Sequence, residues 1–315
     1  MTQAMVQVDG LIRRYAGRAV IENLSFAVQP GEILGLVGPD GAGKTTTLRI
    51  LAGVLPADSG GARVAAQDVL HDPEAVKSVI SYMPQHFGLY EDLTVDENIR
   101  FYAELFEVAA AAREQRAREL LAACGMTPFR RRLAGQLSGG MKRKLGLVCA
   151  LIHSPQVLLL DEPTTGVDPV SRRELWGILY SLVFGGVTVL ISTAYFDEAE
   201  RCHRLLLLHR GRQLFWGTPA ELKGMLPGAV LSIASTDPER LRAALAGADG
   251  LLSAMAMGDA LHVVVNEPAR RIPELRMRLE AAHLAFDGIT TVAATVEDVF
   301  AYMVSREPDQ RGRRP

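Results

Sequence analysis

The sequence predicts an α/β protein that carries a second, smaller α+β domain. Short apolar runs at Glu32–Val37 (EILGLV), Val157–Leu160 (VLLL) and Val187–Ser192 (VTVLIS) are uninterrupted and closed by Gly, Asp or Ser/Thr. Strands buried on both faces of a parallel sheet read this way. Helical stretches lie between them, and near Glu221–Pro227 the patterning shifts to shorter, more regular alternation. The length of 315 residues suits two domains. A composition of 48% hydrophobic and 22% charged residues excludes a disordered, collagen-like or coiled-coil chain.

In chain order, the stretch up to about Gly31 (MVQVDGLIRRY, then AVIENLSFAV) predicts antiparallel strands. The spacing predicts helices over Thr45–Ala52, Val95–Phe106, Ala109–Ala123, Gly139–His153 and Val170–Leu182. Beyond Pro227 the expected order is strand Val230–Ala234, helix Pro238–Ala246, strands Leu251–Met257 and Leu261–Val265 around Gly258-Asp259, helix Pro268–His283, strand Phe286–Ala293 and helix Val296–Val304. This βαββαβ order is the ferredoxin-like plan. Residues 306–315, rich in Pro, Gly and charge, are expected to be a disordered tail.

A formal net charge of −2 makes a sequence-independent nucleic-acid binder a poor fit, and no nucleic-acid partner is expected. Cys124, Cys149 and Cys202 stand far apart without a CxxC pair, which excludes a disulfide framework or thiolate zinc site and fits a reducing compartment. The start lacks the apolar core of a signal peptide, and no run reaches about 18 apolar residues. We therefore expect a soluble cytoplasmic protein whose membrane role would come through a partner.

The strongest local signal is Gly38-Pro39-Asp40-Gly41-Ala42-Gly43-Lys44-Thr45-Thr46, a GxxxxGK[ST] match that follows a strand and opens a helix. It predicts a P-loop NTPase. Its glycines let backbone N–H groups wrap phosphates as an anion nest. Lys44 adds a cation at the β/γ-phosphates, and Thr45 supplies a hydroxyl to Mg²⁺. Val157–Pro163 (VLLLDEP) ends a buried strand on Asp161, a costly place for a carboxylate unless it serves something. Beside a P-loop that something is the Mg²⁺ shell, and Glu162 then faces the γ-phosphate, where it can polarise water. Leu137-Ser138-Gly139-Gly140-Met141 precedes a helix that Ser138 can cap. Ser138 lies 94 residues after Lys44 and 23 before Asp161.

Jointly these motifs make roughly residues 4–222 resemble the ATP-binding subunit of an ABC transporter, which implies an ATP-binding domain at 1–222 with a helical, signature-bearing subdomain at about 86–155, and a C-terminal accessory domain at 223–305. The resemblance implies an ATPase using ATP and Mg²⁺. Gly38–Thr46 resembles the Walker A loop, and Asp161 and Glu162 the Walker B aspartate and the catalytic glutamate. Leu137–Met141 resembles the signature that completes the opposite subunit's ATP site in a homodimer or heterodimer. Gln85, in Tyr82-Met83-Pro84-Gln85, resembles the glutamine that reaches Mg²⁺ and the attacking water. Asp168 resembles the D-loop aspartate, and Tyr15 takes the position of the aromatic that stacks on adenine. Gly211–Leu222 and Thr295–Phe300 (TVEDVF) resemble drug and polyketide-antibiotic exporter subunits. That implies a polytopic ABC-2 type permease partner and a place on the inner face of the cell membrane.

Two residues depart from the family pattern. Asp40 stands where Asn is usual, its side chain expected to point away from the phosphates. Ala194, in Ser192-Thr193-Ala194-Tyr195, stands where the family places a histidine that contacts the γ-phosphate and helps hold the catalytic glutamate and water. A methyl cannot donate a hydrogen bond, and losing one such donor costs about 10²–10³ in rate. The alternative is therefore a hydrolytically weak, regulatory subunit that pairs with a second, competent ATPase. Arg130–Arg132 with Lys142–Lys144 form a basic cluster, read either as a solvated face or as attraction for phosphates or anionic lipid.

Overall fold

The structure, a computed structural model, describes residues 3–306; the expected tail lies outside them from residue 307 on. It divides into two compact units. The first runs up to Tyr195 and includes Cys202–Trp216; the second takes Phe196–Arg201 and everything from Gly217 on.

The first unit is built on strands β1 (Val6–Tyr15), β2 (Arg18–Val28), β3 (Ile33–Val37), β4 (Ser59–Val64), β5 (Gln67–Asp68), β6 (Ile80–Met83), β7 (Val157–Asp161), β8 (Thr188–Thr193), β9 (Arg204–His209) and β10 (Arg212–Gly217). They form one sheet in the order β5-β4-β1-β2-β10-β9-β3-β8-β7-β6. Pairing among β1, β2, β4 and β5 is antiparallel, as expected for the N-terminal stretch. From β9 through β3, β8 and β7 to β6 it is parallel. Every residue of β3, β7 and β8 is buried, which explains why these strands read as unbroken apolar runs.

Helices α1 (Lys44–Leu51) and α2 (Pro73–Val79) follow β3 and β5. Helices α3 (Val95–Leu105), α4 (Ala110–Ala123) and α5 (Gly139–Leu151) make the helical subdomain, with a core of its own around Ile99, Leu121, Leu145 and Val148. α3 starts on a full capping box, Thr94 with Glu97. Helix α6 (Pro169–Phe184) leads into β8. The three cysteines are buried, and burial raises the thiol pKa of Cys124 to about 11 and pushes that of Cys149 up as well.

The second unit opens with α7 (Phe196–Ala199) and α8 (Pro219–Gly224). Then come β11 (Ala229–Ala234), α9 (Pro238–Leu245), β12 (Leu251–Met257), β13 (Ala260–Val265), α10 (Pro268–Ala281), β14 (Ile289–Val292) and α11 (Val296–Ser305). The sheet order β12-β13-β11-β14, antiparallel throughout, is the ferredoxin-like arrangement expected from the sequence. Leu261, Val263 and Val265 on one face of β13 share a core with Leu241, Leu245, Leu275 and Leu279 of α9 and α10. Alternation turns His262 to the other face, where its Nδ1 lies 2.9 Å from Asp298 Oδ1 of α11.

Asp298 is 2% exposed and carries two tasks. Its Oδ2 accepts from Thr295 N at 2.8 Å and Thr295 Oγ1 at 2.7 Å, so the TVEDVF motif begins with a capping box. Asp298→Ala removes the N3 half of the capping box, keeps the Thr295 cap on the residue 298 N–H, and leaves His262 without this partner. The expected cost is about 2–3 kcal/mol, read as earlier urea unfolding of the second unit. The same motif seats Phe300 against Phe196 of α7, ring centroids 4.9 Å apart.

Candidate nucleotide-binding site

The P-loop springs from the C-terminal end of β3, where ligands of open α/β sheets bind. A Cβ on Gly38 would lie 2.2 Å from the Leu208 carbonyl oxygen, so only glycine lets the loop press against β9. No side chain caps α1, whose N-cap is Gly43 at φ 106°, so its first-turn N–H groups remain available to an anion. The loop walls a cavity of about 400 Å³, shared with Gln85, Glu162 and Thr165.

Lys44 is 4% exposed. Its Nζ donates to Gly38 O at 2.7 Å and Pro39 O at 3.1 Å, and lies 3.5 Å from Glu162 Oε1. Thr45 Oγ1 donates to Asp161 Oδ1 at 2.9 Å. Asp161, at the buried end of β7, receives two further hydroxyls: Ser192 Oγ at 2.7 Å on Oδ1 and Tyr82 OH at 3.3 Å on Oδ2. Burial, with repulsion from Asp161, holds the Tyr82 phenol above its ordinary pKa against the opposing pull of Arg49, so it stays protonated as a donor. Ser192 Oγ also accepts the Glu162 N–H at 2.9 Å, tying both acidic residues to β8. Glu162 adopts the left-handed conformation, φ 48°, the kind of backbone strain that collects at functional sites. Its Oε2 accepts from Gln85 Nε2 at 3.2 Å and Thr165 Oγ1 at 3.3 Å. Arg143 Nη1 of α5 in turn donates to the Gln85 carbonyl at 2.5 Å.

Residues 21–165 match the family model described as "ABC transporter". The chain is 35% identical over 309 residues to the Nod factor export ATP-binding protein I of Paraburkholderia xenovorans, an alignment covering 98% of this chain and 99% of that one. It belongs to the ABC transporter ATP-binding family. Members of this family are ATPases coupled to transport. The daunorubicin/doxorubicin resistance ATP-binding protein DrrA of Streptomyces peucetius is 35% identical over 97% of this chain and 94% of its own length. A probable multidrug ABC transporter ATP-binding protein of Escherichia coli, YbhF, is 49% identical over 230 residues, 72% of this chain. The match spans only 40% of YbhF's length. A solved ATP-binding subunit of an ABC transporter superposes with a TM-score of 0.64 at 30% identity, over 70% of this chain and 92% of the other. A cassette in its ADP conformation, at 22% identity and a TM-score of 0.64, shares the fold.

Within this ABC cassette the sequence-predicted residues divide into two groups. Gly41–Thr46, Gln85 and Glu162 line one cavity, and Asp161 joins them through Thr45. Asp40 is also among the residues that line it. Leu137–Met141 lie elsewhere and line none of this cavity. Ser138 N-caps α5, its Oγ accepting from Met141 N at 3.3 Å. Gly139 has open space where a Cβ would stand. Asp168 N-caps α6 through Val170 N and Ser171 N, both at 3.0 Å, and those hydrogen bonds, Ser171's first, hold its carboxyl below the usual range. Tyr15 is 45% exposed, with the Arg13 guanidinium 4.8 Å from its ring centroid. Ala194 contributes nothing to the cavity wall, and the Tyr195 ring beside it is covered by Arg172 at 4.5 Å.

Three of the six cations of the basic cluster are held in ion pairs: Arg130 with Asp96 and Glu114, Lys142 with Glu91, and Lys144 with Glu174. Sequence reading misses Ser192, Thr165 and the hydroxyl of Tyr82 as partners of the two acidic residues. The STAY and DEPTTG segments offered a signal, since a hydroxyl at a strand end or turn beside a buried carboxylate is a natural donor.

Proposed function

We propose that this chain binds and hydrolyses ATP to power an ABC-2 type exporter, moving a drug, a lipid or a similar compound. The observation that carries this reading is the convergence of Lys44, Thr45, Asp161, Glu162 and Gln85 on one cavity beneath the P-loop. Relatives named for multidrug transport, Nod factor export and daunorubicin resistance favour export over import. In the cycle we propose, ATP closes two cassettes head to tail, as a homodimer or a heterodimer. Ser138–Gly140 of one chain then meet the ATP held by the other's Gly38–Thr46, with Tyr15 stacked on adenine. Lys44 and the loop N–H groups hold the phosphates. Glu162 orients the attacking water, helped by Gln85, and hydrolysis reopens the pair.

Mg²⁺ fits this site through hard oxygen donors, Thr45 Oγ1 and the Asp161 carboxylate 2.9 Å apart, with Gln85 close by. Among the described residues no cluster of three or more His, Cys, Asp or Glu is poised to hold a metal, so nucleotide phosphates must complete its shell. When bound, the ion neutralises charge on the β- and γ-phosphates.

Among the described residues no helix is long and apolar enough to cross a membrane. We therefore assign the translocation path to a polytopic permease that holds this chain on the inner membrane face. Tyr90, Phe101, Leu105 and Phe106 expose apolar surface on and around α3, downstream of Gln85, and offer a seat for a permease segment. The second unit is assigned a regulatory or docking role.

Ala194 favours a second reading, a hydrolytically weak subunit paired with a competent one. Steady-state Mg·ATP turnover of wild type beside Ala194→His separates the two. The motor reading expects measurable wild-type turnover and a gain below about tenfold from histidine. ATP binding without turnover, with a gain near 10²–10³-fold from Ala194→His, establishes the regulatory subunit.

A further inference from the structure

We propose that Thr165 is a positioning residue for Glu162 and that, with Gln85, it makes on this chain the orienting contact that a histidine at position 194 would otherwise supply. The proposal rests on the reading of Glu162 as the residue that orients the attacking water.

The Glu162 carboxylate is divided between two surroundings. Oε1 faces the Lys44 ammonium, while Oε2 accepts the Gln85 amide and the Thr165 hydroxyl. Lys44 is committed to phosphate once nucleotide binds, so it cannot also fix the carboxylate. Gln85 stands on a loop beyond β6, and its long side chain loses rotamer freedom for each contact it keeps. Thr165 is different in kind. Its own N–H donates to the Glu162 carbonyl at 3.2 Å, closing a tight turn. Its β-branched side chain has few χ1 choices, and the hydroxyl returns across the same turn to Oε2 at 3.3 Å. Turn and hydroxyl together place one oxygen of Glu162 relative to its own backbone, which Ser192 already fixes through the Glu162 N–H. Thr165 lines the cavity, so the arrangement sits where the γ-phosphate and water would be. Ala194 brings only a methyl to its place in the chain. The hydroxyl that steadies Glu162 therefore comes from its own turn, three residues on.

The test is Mg·ATP hydrolysis by the full chain with Thr165→Val, Thr165→Ser, Thr165→Val/Ala194→His and Glu162→Gln, each checked for wild-type thermal unfolding. Valine keeps the shape and removes the hydroxyl. We expect kcat to fall about 10- to 100-fold in Thr165→Val, as when supporting hydrogen bonds around a reacting group are lost, with KM for ATP within twofold. Serine recovers most of the loss, and histidine at 194 recovers at least tenfold in the valine background. A kcat for Thr165→Val within twofold of wild type overturns the proposal. So does a serine variant as slow as valine, which would make the threonine methyl a packing element, or a double variant no faster than Thr165→Val. Glu162→Gln separates the two levels. If it turns over like wild type, the reading of Glu162 fails and takes this proposal with it. If it is inactive while Thr165→Val is normal, the proposal alone fails.

Discussion

Glu162→Gln is expected to lower the turnover of Mg·ATP by at least about 10²-fold while leaving nucleotide binding intact or tighter. The amide keeps the shape of the carboxylate and can still accept from Gln85 and Thr165, so the turn that holds it survives. What it loses is charge and basicity. A positioned base or water-orienting group contributes about 10²–10⁴ to rate. The effect on affinity has the opposite sign for a reason visible in the site. Lys44 Nζ lies 3.5 Å from Glu162 Oε1, so the carboxylate competes with phosphate for the ammonium and repels the γ-phosphate. Removing one negative charge favours ATP. Phosphate release under saturating ATP reads the first effect, and equilibrium titration with ATP reads the second. Turnover within threefold of wild type would remove Glu162 from the chemistry.

The elements that the sequence makes plain are those whose sides are all buried or whose ends are marked. β3, β7 and β8 are unbroken apolar runs closed by small or acidic residues, and α3 and α11 begin on capping boxes that can be read from Thr94/Glu97 and Thr295/Asp298. β6 is not legible, because Ile80 follows Val79 of α2 directly and nothing in the chain marks the change from helix to strand. β4 carries Ser59, Gly60 and Gly61, which read as a turn, and only pairing with β1 makes them a strand. β9 passes the same test as β7, four leucines between Arg204 and His209, and is simply missed.

The site divides along the same line. The phosphate loop and the acidic pair lie in contiguous motifs. Thr165 comes from the same turn as Glu162, but the Ser192 and Tyr82 hydroxyls on Asp161 come from residues distant in sequence and brought together by strand order. Asp161 and Ser192 are register partners in β7 and β8, and β6 on the other side of β7 carries Tyr82. In the sequence Ser192 and Tyr82 stand 31 and 79 positions from Asp161; only the parallel sheet aligns the strand ends that carry them. The signature segment shows the complementary limit. Its residues are legible as a motif but line none of the cavity in their own chain, and in the proposed cycle they act on the ATP held by a second cassette.

The other large effect is expected at Lys44. Lys44→Met keeps a linear apolar stem in a nearly closed slot, so the packing around residue 44 is retained, but two hydrogen bonds to the Gly38 and Pro39 carbonyls vanish. Each is worth about 1.5–3 kcal/mol to the order of the loop, because the donor is charged. The larger loss is to nucleotide. Truncating one member of a buried charge pair costs about 2–5 kcal/mol, roughly 30- to 5000-fold in ATP affinity. Disordering of the loop and loss of the cation predict different ligand dependence. A loop that has merely lost order would weaken ATP, ADP and AMP alike, since its N–H groups contact every phosphate chain. A missing ammonium at the β/γ-phosphates weakens ATP and ADP strongly and leaves AMP and adenosine almost unchanged. Calorimetric titration of the variant with the four ligands reads the difference. ATP binding within threefold of wild type would mean that the cavity beneath Gly38–Thr46 is not where the phosphates sit. A graded loss, greatest for ATP and absent for adenosine, is the result that the placement of Lys44 between the loop carbonyls and Glu162 requires.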